Sequence, residues 1–189
     1  GAGETAPSPD WNWVLRDVSF TAEPGQTLAL VGATGSGKST ILSLLLRFYE
    51  PQRGRVTIDG VDVKDLPLGE LRRQVGLVLQ DVFLFSGTIE ENVTLGADVS
   101  AERVAEAAAL VGADTFIERL PERYASPVGE RGATLSLGQR QLLSFVRTLL
   151  YDPAVLVLDE ATSSVDTETE EMVQRAVDVL MEGRTAIVV

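Results

Sequence analysis

The chain has 189 residues, 44% of them hydrophobic, and a formal net charge of −12 at pH 7. That length and apolar content suit one packed domain, and the acidity argues against a nucleic-acid-binding surface. With no cysteine and no histidine, disulfides, thiolate chemistry and a structural zinc site are excluded, and no apolar run approaches the ~20 residues that cross a bilayer.

Residues 1–10, GAGETAPSPD, are small, polar and proline-bearing, and read as a flexible lead-in rather than a signal peptide. WVLRDVSFTAEPGQTLALVG alternates as two strands broken by a Pro24-Gly25 turn. STILSLLLRFYEP is apolar at 41, 42, 44, 45, 46 and 48, which predicts a helix with a wide buried face that stops before Pro51. GRVTIDGVDV reads as a strand pair about the Asp59-Gly60 turn, and QVGLVLQD as another short strand. Residues 88–125 turn helical and alanine-rich; in SAERVAEAAALVG, Ser100 is the expected N-cap and Gly112 the C-terminal stop. LSLGQRQLLSFVRTLL predicts a further helix. AVLVLD is a continuous apolar run of the kind that forms a parallel strand covered on both faces. TETEEMVQRAVDVLM then reads as helix and RTAIVV as a buried strand. Strands alternating with helices imply an α/β parallel sheet. The expected division is a core of residues 11–80 and 146–189, interrupted by a helical subdomain over 81–145.

LALVGATGSGKST places a glycine-rich loop between a strand and a helix, and Gly32, Gly37, Lys38 and Ser39 satisfy G-x-x-x-x-G-K-[ST]. Glycines let backbone N–H groups turn inward as an anion nest, and the helix start adds its positive dipole end. Gly32, Ala33, Thr34, Gly35, Ser36, Gly37, Lys38, Ser39 and Thr40 are the expected phosphate cradle. Within it, Lys38 neutralises the β- and γ-phosphates and the Ser39 hydroxyl ligates Mg²⁺. VLVLDEATSSVD puts Asp159 and Glu160 at the carboxyl end of a buried strand, the edge where open α/β sheets bind ligands. The first carboxylate can hold Mg²⁺, through water; the second can orient or deprotonate an attacking water. As a bare acidic pair they could equally begin a loop; the phosphate loop is what favours the functional reading.

The phosphate loop (Walker A), then LQD, LSLGQRQ and VLVLDEATSSVD (Walker B and beyond), together resemble the nucleotide-binding domain of an ABC transporter from about Val14 to Val189. The resemblance implies a P-loop NTPase (RecA-like) parallel sheet with an inserted α-helical subdomain and a small N-terminal antiparallel β part. It implies ATP and Mg²⁺ as ligands and ATP hydrolysis as the activity. Gln80 would sense Mg²⁺ and the γ-phosphate, with Ser39, Gln80 and Asp159 around the metal and Glu160, Gln80 and Lys38 carrying the catalysis. Leu135, Ser136, Leu137, Gly138 and Gln139 resemble the signature segment, which in the family faces the ATP held by a second, head-to-tail nucleotide-binding domain. Its physical logic is a second helix N-terminus, with Ser136 as N-cap and Gly138 permitting close approach to an anion. Asp166 resembles the residue that links the two sites across that interface. LQDVFLFSGTIEENV and PVGERGATLSLGQRQ are close to the exporter pattern, and VGERG (128–132) resembles its contact with the partner's intracellular loops. The implied partners are a second such domain and the transmembrane domains of the same exporter, with no nucleic acid. The implied place is the cytoplasmic face of the cell membrane, the domain itself being soluble.

The chain departs from the family pattern at three points. Leu137 stands where the first of two glycines is usual, a degeneracy also found in low-turnover halves of heterodimeric exporters; a soluble ABC ATPase acting on DNA or ribosomes is the remaining alternative. No tyrosine occupies the adenine-stacking place, and Trp11 and Trp13 are the nearest aromatics. Finally, the family carries a histidine a few residues beyond a strand like GRTAIVV. Its absence is expected to reflect where the piece ends, leaving a domain that holds phosphate but turns over little ATP alone.

Overall fold

A computed structural model of the chain describes residues 12–79, 82–159 and 167–189. Strand β1 (Thr27–Ala29) leads through the glycine-rich loop into helix α1 (Lys38–Leu45). Strands β2 (Thr57–Ile58) and β3 (Val61–Asp62) form an antiparallel hairpin. Asp59 (φ 49°) and Gly60 (φ 79°) supply the two left-handed positions that such a tight turn requires. Helix α2 (Leu68–Gln74) feeds strand β4 (Val75–Val78). A short strand β5 (Gly87–Thr88) follows, and then helices α3 (Ile89–Thr94), α4 (Ala101–Leu110) and α5 (Asp114–Ile117). Strand β6 (Pro127–Val128) pairs back onto β5. Helix α6 (Leu137–Tyr151), strand β7 (Val155–Leu158), helix α7 (Thr167–Met181) and strand β8 (Thr185–Val188) complete the order.

The main sheet has the order β1-β8-β7-β4, and its neighbours are all parallel. Successive side chains on a strand point to opposite faces, and the core divides accordingly. Val75, Val157 and Ile187 pack with Leu42, Leu45, Leu46 and Leu71 of α1 and α2. On the other face Val78, Leu156, Leu158 and Ala186 pack with α6 and α7. The central strands are thus buried on both sides, as their unbroken apolar sequence requires. The second cluster extends without a gap into Val104, Ala107, Ala108 and Val111 of α4, which recur at the i, i+3, i+4, i+7 spacing of one helix face.

The phosphate-loop helix, the Asp59-Gly60 hairpin, β4, β7, α7 and β8 lie where the sequence places them. Of the two strands expected about Pro24-Gly25, β1 forms after the turn; residues 14–22 form no strand with any other described residue, and Val14, Val18 and Phe20 are exposed. An alternating segment becomes a strand only when a neighbour completes its ladder. The short antiparallel β2–β3 hairpin forms a two-stranded sheet of its own among the described residues, as does the antiparallel β5–β6 pair. The helical stretch over 88–125 is broken into α3, α4 and α5, with Leu95 (φ 50°), Gly96 (φ 80°) and Gly112 (φ 72°) at the breaks.

Candidate functional site

Parallel strands end on one common edge. The loop after β1, Leu79 after β4, Asp159 after β7 and Val189 after β8 therefore share the carboxyl edge of the sheet. β8 lies between β1 and β7, so the glycine-rich loop and Asp159 are two strand spacings apart, about 10 Å. That gap is of the size a phosphate chain with its cation fills.

The loop turns on Gly35 (φ 83°) and Gly37 (φ 96°), both in the left-handed region that glycine alone adopts without strain. Ser36 N donates to the Ala33 carbonyl at 3.1 Å, closing the turn. Lys38 Nζ reaches back over the loop to the carbonyl oxygens of Gly32 (2.6 Å) and Ala33 (3.2 Å). The ammonium thus sits across the mouth of the cradle rather than extended into solvent. Gly37 is the N-cap of α1, which has no side-chain cap and no acidic residue in its first turn. Helices α3 and α6 are built differently: each carries a capping box, Thr88 with Glu91 and Ser136 with Gln139. The N-terminal donors of α1 are thus open to an external anion, whereas those of α3 and α6 are partly satisfied by their own side chains; α2 and α5 likewise lack a side-chain cap.

Leu15 lies against the loop. A Cβ on Gly37 would stand 2.6 Å from Leu15 Cδ2, so this glycine is fixed by packing as well as by φ. Trp13 is half-buried and carries the Arg53 guanidinium over its ring, 6.0 Å from the centroid. A base stacked on that face would displace Arg53. Trp11 lies outside the described residues.

Asp159 is half-buried, and its N–H donates to the Val78 carbonyl at 3.0 Å, which extends the β4–β7 ladder by one step. Ser39 is exposed in the first turn of α1. A hydroxyl and a carboxylate are the hard oxygen donors Mg²⁺ accepts. One hydroxyl and one carboxylate fit a cation that would be completed by phosphate oxygens and water. Gln80, Glu160 and Asp166 lie outside the described residues.

At the start of α6, Ser136 Oγ accepts from Gln139 N (3.2 Å) and Gln139 Oε1 accepts from Ser136 N (2.9 Å). Ser136 is exposed, Leu137 half-buried, Leu135 and Gly138 buried. Sequence reasoning identified the cap but not what braces it. Arg140 Nη1 donates to the carbonyls of Leu135 (2.8 Å) and Gly132 (3.5 Å). Arg147 Nε donates to the Asn92 carbonyl at 3.0 Å. Burial pushes the Arg147 guanidinium below its ordinary value, against an opposing effect of Tyr151. The available signal was a single cation inside the apolar run LLSFVRTLL. In VGERG, Val128 is buried in β6 and the exposed Glu130 opens a 3₁₀ turn, Glu130–Gly132, that ends on the buried Gly132.

Fold and loop together define a P-loop nucleotide-binding domain. The family described as ABC transporter matches residues 15–163, and the chain belongs to it. It is 55% identical over 93% of its length to the uncharacterized ABC transporter ATP-binding protein YknV of Bacillus subtilis, covering 29% of that protein. It is 52% identical over 93% of its length to a probable multidrug resistance ABC transporter ATP-binding/permease protein, YheH, of the same organism, covering 26% of it. A putative multidrug export ATP-binding/permease protein of Staphylococcus aureus is 48% identical over 93% of the chain, 31% of its own length being covered. The chain thus spans about 30% of the length of these relatives. It is an ATP-binding domain of this family. Among the described residues no helix is long and apolar enough to cross a membrane.

Proposed function

We propose that the chain is the ATP-hydrolysing domain of an exporter, which drives transport across a membrane by closing head-to-tail on a second such domain when ATP binds. The supporting observation is the uncapped α1 N-terminus with Lys38 folded across its loop, on the same sheet edge as Asp159. Two relatives are named as multidrug resistance or multidrug export ATP-binding/permease proteins, which supports export and a membrane-domain partner; the cytoplasmic face is the place this reading assigns to the domain. Residues 11–80 and 146–189 form the ATP-binding core in this reading, and 81–145 the signature-bearing part. α6 runs unbroken across that boundary and would serve both.

Lys38 gives up its loop carbonyls for the β- and γ-phosphates, which costs little because both partners are exposed. The N–H groups of residues 33–40 hold the phosphate oxygens. Ser39 and Asp159, with Gln80, would hold Mg²⁺, which would supply neutralisation of the charge that develops on the phosphates. Glu160 orients the attacking water and takes its proton. Ser136–Gln139 face the nucleotide of the other domain, and Asp166 lies at the joint. Glu160→Gln in the full-length protein is expected to keep ATP binding and lose at least a hundredfold in turnover; hydrolysis at the parent rate would remove Glu160 as the base. Leu137 favours a second reading, a half that binds ATP and turns over slowly. Replacing it with glycine distinguishes the two.

A further inference from the structure

Arg147 is a half-buried cation of α6. Val146 and Leu143 beside it are fully buried. Its Nε donates to the Asn92 carbonyl (3.0 Å) and its Nη1 to the Phe83 carbonyl (3.3 Å), while Nη2 is buried with no acceptor among the described residues. No carboxylate among the described residues lies within ion-pair distance of it. A half-buried charge whose partners among the described residues are carbonyl dipoles loses solvation that an aliphatic side chain would not. What the guanidinium does that an aliphatic chain cannot is span two carbonyls of one segment with a rigid planar fork.

Asn92 closes the same segment from its other side. It is 1% exposed. Its Nδ2 donates to the carbonyls of Phe85 and Thr88, each at 2.9 Å, and its Oδ1 accepts from Phe85 N at 2.8 Å. Leu84 is buried beneath, but Phe83 and Phe85 stand outward, both 56% exposed, their rings edge-to-face at 5.0 Å. Arg140 lies seven positions before Arg147, two turns up the same face of α6, and grips the loop that enters Ser136. A Cβ on Gly132 would stand 2.7 Å from Arg140 Cδ and 3.0 Å from Leu84 Cδ1, so both loops meet the helix at one point.

We propose that Arg147 is a positioning residue: with Asn92 it fixes the Phe83–Phe85 pair to α6, so that this outward aromatic pair and the Ser136–Gln139 turn move as one body. A ligand that shifts the start of α6 then shifts the aromatic pair without any flexible joint between them. The lock stands on the geometry; only its use in regulating turnover rests on the function proposed above.

Hydrogen–deuterium exchange on the chain tests the lock. Arg147→Met is expected to speed exchange of residues 83–95 at least tenfold while Val155–Leu158 stay within twofold. Arg147→Lys, which keeps the charge but not the fork, falls between parent and methionine variant. Unchanged exchange over 83–95, an equal rise in Val155–Leu158, or full protection in the lysine variant would each overturn it. In the full-length protein Arg147→Met should leave KM for ATP within twofold and lower kcat at least fivefold; a parental kcat would overturn the coupling. If the parent does not hydrolyse ATP, the proposed function has failed, and the exchange experiment still decides the lock.

Discussion

Ser136 does one job that the structure displays and a second that the proposed function requires, and two substitutions separate them. Its Oγ accepts from Gln139 N at the start of the 15-residue α6. Removing it in Ser136→Ala loses an N-cap, about 1 kcal/mol, or roughly 2–4 °C in Tm for a domain of this size. Ser136→Asp keeps the cap, since a carboxylate accepts from the same N–H and suits the positive helix end; its Tm should match the parent within about 1 °C. If Ser136 faces the phosphates of a partner's ATP, the aspartate meets like charge. At about 4 Å each pair costs from ~1 kcal/mol in bulk water to ~4 kcal/mol near a protein surface, roughly a 5- to 1000-fold loss. Light scattering or analytical ultracentrifugation with ATP, on protein carrying Glu160→Gln to hold nucleotide, measures the association. An aspartate variant that assembles with ATP as readily as the parent would refute the anion-facing role. One that melts lower than the alanine variant would refute the capping geometry.

Three further outcomes can be checked. Gly76→Ala would place a Cβ 2.5 Å from Pro153 Cγ and 3.3 Å from Thr148 Cγ2; overpacking β4 against the α6–β7 turn should cost about 1–3 kcal/mol in urea unfolding. Burial, then the Glu118 and Asp114 carboxylates, push the Tyr124 phenol above its ordinary value near 10. Folding therefore favours the protonated phenol, so this contribution is complete below the ordinary value and is lost as pH rises through the folded one; Tyr124→Phe should flatten that part of a stability profile. Leu137→Gly in the full-length transporter should leave ATP turnover within twofold, because Gly138 is retained; a large rise would favour the low-turnover reading.

What the sequence made legible was whatever local chemistry encodes. The phosphate loop announces itself because Gly32, Gly37, Lys38 and Ser39 must stand at fixed offsets between strand and helix. VLVL is readable because a strand buried on both faces has no polar positions, and Ser100 and Ser136 because a cap needs a short side-chain acceptor; both accept from the residue three further on. The misses are non-local. β5 and β6 are two residues each and pair across 40 positions, a contact no local pattern carries. Helix α2, beginning after Pro67, buries only Leu71, so its seven residues show no apolar period. The strand expected before Pro24 alternates well but finds no neighbour. Arg147 and Asn92 were hidden for the opposite reason: their meaning lies in which carbonyls they reach, and those belong to other elements.

The most direct test of the account is calorimetric titration of the chain with ATP and Mg²⁺, parent against Lys38→Ala. The account predicts saturable binding by the parent and at least a hundredfold loss in the variant, at unchanged Tm without nucleotide because Lys38 contacts only exposed loop carbonyls. Equal affinity in the two proteins would contradict it.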